Sequence, residues 1–285
     1  MMAKNIGYVR PGDLSEAIEF LAEKGRETTI VAGGTDVMVD LRSGALKTRY
    51  LLDISRLDDL KGIRMEGEEL VVGATVTISE IHRSGILAQY APALKKSANN
   101  FASTQIRNVA TIGGNVAHCS PCGDTIPPLV IHEAEVVFSG KDGQRRVPIE
   151  DVAAGPYRCS IAKDEIITSF ILKPREADFA DFQKIGRRKE LAISRLSLAA
   201  MLDKDKENRI SFMRLSLGAC TPTPHRMKAV EEFMIGEKPT HDLLFRAGKL
   251  LAEKMIEITG RRSSIIYKEP AVQGLFVRML YPVAI

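Results

Sequence analysis

The sequence predicts an α+β protein made of more than one unit. Three observations carry that expectation. The first 53 residues alternate helix-like and strand-like patterns in a βαβ-like arrangement, which implies a small parallel sheet. Later segments read as antiparallel hairpins. The chain, at 285 residues, exceeds one minimal core and suits two or three subdomains.

Residues 13 to 24 are a predicted helix. Asp13 and Ser15 can cap it, Ala17, Ile18, Leu21 and Ala22 form an apolar stripe at helical spacing, and Gly25 stops it. Residues 29 to 32 make a short buried strand. Residues 36 to 42 make a short helix, with Val37, Met38 and Leu41 inward and Gly44 just beyond its end. Residues 50 to 53 are the next strand, and 70 to 73 and 76 to 78 give two more. Ser79 opens a helix. Residues 92 to 103 form another, with Leu94, Ala98, Phe101 and Ala102 on one face. Residues 127 to 131 read as a short helix, and 135 to 138 with 146 to 149 as a hairpin across Lys141-Asp142-Gly143. A strand over 166 to 172 runs into the polar stretch 174 to 181, where a unit boundary is expected. Beyond it, 194 to 202 and 209 to 218 alternate as two antiparallel strands, followed by helices over 229 to 234, 240 to 258 and about 270 to 280.

Composition narrows the function classes. Hydrophobic content of 45% and charged content of 27% are those of an ordinary globular protein. The net charge of +4 is too small to argue for nucleic acid. Arg187-Arg188-Lys189 and Arg261-Arg262 read as solvated surface. The first residues, Met1-Met2-Ala3-Lys4-Asn5, lack the apolar run of a signal peptide, and no stretch approaches the ~20 apolar residues of a membrane span. A cytoplasmic protein is expected, with Cys119, Cys122, Cys159 and Cys220 as thiols.

The chemistry concentrates in two glycine pairs. Thr29-Ile30-Val31-Ala32-Gly33-Gly34-Thr35-Asp36 and Asn108-Val109-Ala110-Thr111-Ile112-Gly113-Gly114-Asn115 each place Gly-Gly and small polar residues after a β-branched run. Paired glycines permit positive φ and close approach of a ligand, and successive amide N–H groups can cradle an anion. The first pair also precedes a helix N-terminus, whose dipole favours an anion by roughly 0.3–1 kcal/mol. Neither segment reads G-x-G-x-x-G, and there is no G-x-x-x-x-G-K-[ST]. Two loops of this kind suit one extended, phosphate-bearing cofactor held at two places. Asn115 offers a donor and an acceptor, and Asp124 offers acceptors for sugar-chain hydroxyls.

Longer motifs extend the pattern: Ala32-Gly33-Gly34-Thr35-Asp36; Gln105-Ile106-Arg107-Asn108 running into Val109-Ala110-Thr111-Ile112-Gly113-Gly114-Asn115; Gly123-Asp124 with Pro127-Pro128-Leu129; and Phe182-Gln183-Lys184-Ile185-Gly186-Arg187-Arg188 with Leu191-Ala192-Ile193-Ser194. Over nearly its whole length the chain resembles the flavoprotein (medium) subunit of the molybdenum hydroxylases, the xanthine dehydrogenase, carbon monoxide dehydrogenase and nicotinate dehydrogenase family. Tyr267-Lys268-Glu269 and Ala271-Val272-Gln273-Gly274 look most like the anaerobic members that act on purines or nicotinate-type heterocycles.

The resemblance implies a two-subdomain FAD-binding domain of the vanillyl-alcohol oxidase (PCMH) type over 1–174, with subdomains of about 1–57 and 58–174. A smaller α+β C-terminal domain of the CO dehydrogenase flavoprotein type follows over 178–285. It implies FAD between the subdomains. Ala32, Gly33, Gly34, Thr35, Asp36 and Val37 would hold the pyrophosphate, and Thr111, Ile112, Gly113, Gly114 and Asn115 would form the second loop. Asp124 would bind sugar-chain hydroxyls, Phe101 would lie against a cofactor ring, and Ile167 would sit beside the flavin. Lys184 would lie near the flavin's polar edge, with Gln183 as the alternative there. A carboxylate beside pyrophosphate is repulsive, so Asp36 is expected to cap its helix instead.

Plainer readings stand beside these. Phe101 at helical spacing is core by default, Asp124 can cap the Pro-Pro helix, and His118, His132 and His225 show no metal spacing. Cys119-x-x-Cys122 lacks the Cys₄ set of an iron–sulfur cluster, and reads as two thiols near the flavin with redox activity as the lesser alternative. By resemblance the chain is an electron-transfer subunit. It would take electrons from the [2Fe-2S] clusters of a small partner and pass them through FAD to NAD or another acceptor, while a molybdopterin-binding large partner hydroxylates a purine or other N-heterocycle. A self-contained flavin reductase or oxidase of the same fold and a non-enzymatic FAD scaffold are the competing readings.

Overall fold

The computed structural model describes residues 6 to 188 and 191 to 284. Met1 to Asn5, and Lys189 within the basic run, lie outside the described residues. Arg187 and Arg188 are exposed.

The first unit contains β1 (Gly7–Val9), α1 (Leu14–Lys24), β2 (Thr28–Val31), α2 (Val37–Ser43) and β3 (Tyr50–Asp53). Asp13 starts α1 by accepting the Glu16 amide at 2.8 Å, and Ala17 and Leu21 face inward. The strands form a parallel sheet in the order β1-β3-β2. The expected βαβ unit is thus present. Strand β1, only three residues long, is too short to show a periodicity.

The second unit runs through β4 (Ile63–Glu66), β5 (Glu69–Gly73), α3 (Ile78–Arg83), α4 (Gly85–Tyr90), α5 (Pro92–Asn99), α6 (Thr104–Arg107), α7 (Ile112–Ala117) and α8 (Ile126–Ile131). It continues with β6 (Glu135–Gly140), β7 (Gly143–Pro148), α9 (Ile149–Val152), β8 (Ala153–Gly155), β9 (Arg158–Cys159) and β10 (Ile166–Leu172). An antiparallel sheet of order β4-β5-β10-β6-β7 packs Leu70, Val72, Phe138 and Phe170 against Ile78, Leu94, Ile112 and Leu129 from the helices.

Two predicted elements differ here. Residues 76 to 78 make only an isolated antiparallel bridge, Thr77 to Thr111, because Thr77 and Glu80 form a reciprocal capping box that starts α3. Helix α5 stops at Asn99, short of the expected residue 103. Ala102 takes φ of 38°, and Arg107 Nη1 donates to the carbonyls of Phe101 and Ala102 at 3.0 and 3.2 Å, which fixes the break.

The third unit contains β11 (Phe179–Gly186), β12 (Ser194–Lys204), β13 (Ile210–Gly218), α10 (Lys228–Met234), α11 (His241–Thr259) and α12 (Ile265–Leu280). Its antiparallel sheet is buried on both faces. Leu196, Leu198, Ala200 and Leu202 pack with Leu244, Leu251, Leu275 and Phe276, while Ala199 and Met201 meet Ala93 and Ile131 of the second unit. Strand β11 is not evident from the sequence, because its first three residues, Phe179 to Asp181, fall in the polar stretch where a unit boundary is expected. Helix α12 begins five residues before Pro270 and keeps it inside, since burial of Ile265 together with Val272 and Leu275 favours continuing the helix.

Candidate functional site

The site grows from the edge where the first two units touch. Strand β2 ends at Val31, and the chain turns through Gly34 at φ of 68° into α2. Amides of Met38, Val39 and Asp40 are satisfied by the carbonyls of Gly34 and Asp36. Among the described residues, none of the amide N–H groups from Ala32 to Val37 donates to another protein group. A helix N-terminus leaves its first donors unpaired, but here the free run extends back through the turn to the end of the strand.

The second glycine pair is built differently. Gly113 and Gly114 lie inside the first turn of α7, and neither has positive φ. Thr111 is the N-cap, its Oγ1 accepting the Gly114 amide at 3.0 Å. The Ile112 and Gly113 amides donate to the carbonyls of Val76 and Ala74 at 3.0 and 2.9 Å. The expectation that the second pair repeats the first as an anion turn is therefore corrected: its donors are already used. Gly113 is required for packing, since a Cβ there would lie 2.6 Å from the Ala74 carbonyl oxygen. Gly114 is exposed, and a Cβ there would meet only Thr111 Oγ1, at 3.0 Å.

Folding brings the two pairs together. A Cβ on Gly33 would lie 1.9 Å from the carbonyl oxygen of Val109, so the first turn rests on bare backbone of the segment leading into α7. Asp36 sits at the N-cap position of α2, but its side chain makes no capping bond. That corrects the capping expectation: the Asp36 backbone is helical there, with φ −97° and ψ −48°, rather than the extended conformation usual at an N-cap. Its Oδ1 lies 3.9 Å from Nδ1 of His118, which caps the other end of α7 and packs edge-on against Tyr157. His118 was read as structural; no periodic pattern marked it as a neighbour of the first loop.

Further along, Asn115 Oδ1 accepts the Thr125 hydroxyl at 2.7 Å. Thr125, not Asp124, occupies the N-cap position of α8. Asp124 is buried and reaches the third unit, with Lys184 Nζ on Oδ2 and Ser194 Oγ on Oδ1, both at 2.5 Å. Burial pushes the Asp124 carboxyl up, and the Lys184 ammonium and the Ser194 hydroxyl oppose that rise. Lys184 and Gln183 project to opposite faces of β11. Gln183 bonds Asp181 and Arg278 instead. Ser194 was missed as a site residue, although it closes the quoted Leu191-Ala192-Ile193-Ser194 motif. Phe101 is half-buried against the core of the second unit, and Ile167 is buried within that core, just before a register shift in β10.

An extended cofactor with a diphosphate fits this edge. It needs unpaired donors, a positive-φ turn and a backbone surface free of side chains, and the segment from Ala32 to Val37 supplies the first two, with exposed Gly114 supplying the third nearby. The fold and site thus define a dinucleotide-cofactor protein that lacks the usual glycine signature. The family described as FAD binding domain in molybdopterin dehydrogenase matches residues 4–174, and the one described as CO dehydrogenase flavoprotein C-terminal domain matches residues 181–283. The chain belongs to the FAD-binding medium subunits of the molybdenum hydroxylase family; its cofactor is FAD, and it is the flavoprotein subunit of an oxidoreductase.

Among its relatives, the nicotinate dehydrogenase FAD-subunit of Eubacterium barkeri is 29% identical over 281 residues, covering 97% of this chain and 95% of that one. The xanthine dehydrogenase FAD-binding subunit of Escherichia coli O157:H7 is 34% identical over 79% of this chain and 77% of that one. A chain of carbon monoxide dehydrogenase from Hydrogenophaga pseudoflava superposes with a TM-score of 0.90 at 25% identity, covering 100% of both chains. Among the described residues, no helix is long and apolar enough to cross a membrane.

Proposed function

We propose that this chain takes electrons from the [2Fe-2S] clusters of a small partner subunit and delivers them to NAD or another acceptor, in a cytoplasmic heterotrimer whose molybdopterin-binding large subunit hydroxylates a purine or related N-heterocycle. The observation that carries the binding part is the run of free amide donors from Ala32 to Val37, seated on the segment that leads into α7. The nicotinate and xanthine dehydrogenase names of its relatives support the substrate class.

Within this reading the first loop holds the pyrophosphate by main-chain N–H groups. Exposed Gly114 lets a ligand approach backbone on the other side, and Thr111, Ile112 and Gly113 fix that wall against Ala74 and Val76. Asn115 and Asp124 are the polar groups for sugar-chain hydroxyls. Asp124 already accepts from Lys184 and Ser194, but a carboxylate has about four acceptor positions, which leaves room for a hydroxyl. Lys184 and Ser194 hold the Asp124 carboxyl at the flavin's polar side, and Phe101 and Ile167 supply the apolar surroundings. FAD, when bound, supplies the redox centre through which electrons pass, and the protein positions and tunes it. The division of the chain between residues 174 and 178 leaves the loop before α8 to the first domain and Lys184 to the second, so the site is complete only when both are docked.

The test is purification from the native source followed by anaerobic mixing with a panel of purines and nicotinate-type heterocycles. The expected result is co-purification with a molybdenum subunit and an iron–sulfur subunit, bleaching of the flavin band by one heterocycle, and recovery of the band on adding NAD. Bleaching of the isolated chain by a heterocycle would point instead to a self-contained flavoenzyme.

A further inference from the structure

Cys119 and Cys122 are close in sequence, yet the fold gives Cys119 a different neighbour. Its Sγ lies 3.2 Å from the Val116 carbonyl oxygen and 4.0 Å from that of Val152. Cys159 lies on β9, directly across from Ala153 of β8, and the following amide, of Ser160, donates to the same Val152 carbonyl at 2.8 Å. Cys119 Sγ and the segment carrying Cys159 therefore both lie against the Val152 carbonyl, which brings the two thiols close enough to influence each other's ionisation. A further tie joins the same segments: the Tyr157 amide donates to the Cys119 carbonyl at 2.9 Å. Cys119 and Tyr157 both hold positive φ, 49° and 58°, an uncommon backbone conformation for residues other than glycine. Cys122 belongs to a separate neighbourhood, with Asp124, Lys268 and Cys220 around it.

We propose that Cys119 and Cys159 are a peroxide-reactive dithiol, with Cys159 the attacking sulfur and Cys119 the resolving one. Cys159 is half-buried, between exposed Arg158 and exposed Ser160, while Cys119 is buried. A peroxide therefore meets Cys159 first. The environment divides the roles in the same way. The hydrogen bond from Cys119 lowers the Cys159 thiol to about 7 against the opposing effect of burial, helped by the Ile161 and Ser160 amides and the Arg145 guanidinium. The Cys119 thiol is pushed up by that same interaction and by burial, so it keeps its proton. Arg145 is held in place by Glu165 and by the Ser160 carbonyl.

The chemistry balances with hydrogen peroxide as the named oxidant. The Cys159 thiolate attacks one peroxide oxygen; the O–O bond breaks, hydroxide leaves, and Cys159 becomes a sulfenic acid. The Cys119 sulfur then attacks the Cys159 sulfur. An S–S bond forms, the S–O bond breaks, and the sulfenic OH leaves as water with the Cys119 proton, while the hydroxide from the first step takes up the proton that Cys159 released on ionising. The two cysteines together lose two electrons, and peroxide gains them as it becomes water. The disulfide would clamp the loop leading to Asp124 onto the β8–β9 hairpin.

The FAD-loaded full-length chain, reduced and then freed of reductant, is treated with hydrogen peroxide at one to two equivalents. Thiol titration and non-reducing peptide mapping follow. The expected result is loss of two of the four thiols and one crosslinked peptide pair containing Cys119 and Cys159. In Cys119→Ser, a sulfenic acid trapped by dimedone should appear on Cys159, and Cys122→Ser should crosslink as the unaltered chain does. A crosslink from Cys119 to Cys122, a crosslink from Cys122 to Cys220, or four thiols surviving the treatment would each overturn the assignment.

Discussion

The carbonyl oxygen of Val109 fills the place where a side chain on Gly33 would begin, 1.9 Å from the position of its Cβ. The glycine is thus needed for one protein segment to lie on another, before any ligand is considered. Gly33→Ala should separate the first two units locally. Overpacking of this kind costs typically 1–3 kcal/mol, and because the neighbour is backbone we expect at least about that much. Thermal melting without FAD should show the loss, and the purified variant should carry little flavin. Gly114→Ala meets only Thr111 Oγ1 at 3.0 Å, so its melting point without FAD should stay close to that of the unaltered chain. Flavin loss in Gly114→Ala alone would then report on approach of the cofactor itself.

Asp36 makes no capping bond, is more than half exposed, and stands beside the free amide run. Removing its charge should remove repulsion toward a diphosphate without disturbing the helix. Asp36→Asn is expected to change apo stability by less than about 0.5 kcal/mol and to bind FAD at least as tightly, measured by fluorescence quenching of added FAD. Weaker binding would contradict a diphosphate at this loop.

The ion pair of Asp124 and Lys184 has both side chains about nine-tenths buried. Breaking a buried pair by deleting one partner costs on the order of 3–5 kcal/mol, because the other charge is stranded. Lys184→Met should therefore destabilise the fold strongly, and adding Asp124→Leu should recover part of that loss. Flavin content should fall in Lys184→Met and should not return in the double variant if Asp124 also binds the cofactor. Recovery of both stability and flavin would leave Asp124 with a structural role only.

His132 sets an acid limit on stability. Its Nδ1 donates to the Lys173 carbonyl at 3.3 Å, while Nε2 has no partner among the described residues. Burial lowers its pKa from 6.5 to about 4, with the hydrogen bond to Lys173 opposing. Below pH 6.5 the unfolded chain takes up a proton that the folded chain refuses. Stability from this group is therefore complete above about 6.5 and declines as pH falls through the window down to about 4, by on the order of 3 kcal/mol in all. Urea melts across that range should show the decline, and His132→Asn, which cannot titrate but can still donate to Lys173, should flatten it.

Much of the fold was legible along the chain. Asp13 at a helix start, Gly44 at a helix end and the alternation of residues 194 to 202 act through neighbours a few positions away, and the structure bears them out. Where the reading failed, a distant contact had overruled a local pattern. Arg107 ended α5 early, and the packing of Ile265, Val272 and Leu275 carried α12 through Pro270. The candidate site divides in the same way. The two glycine motifs meet in the fold, but their alikeness in sequence hid a difference in use: Ala32 to Val37 keep their donors free, and Ile112 to Gly114 spend theirs on Val76, Ala74 and Thr111.

By itself the sequence determined the α+β class, the family and the FAD cofactor, because these follow from spacings and residue types fixed along the chain. The tertiary structure alone decided that Gly33 rests on Val109, that Asp124 is shared by Lys184 and Ser194, and that Cys119 faces Cys159 rather than Cys122. These pairings depend on how separate units dock, and docking is set by buried surface and shape summed over many residues, which no local spacing records.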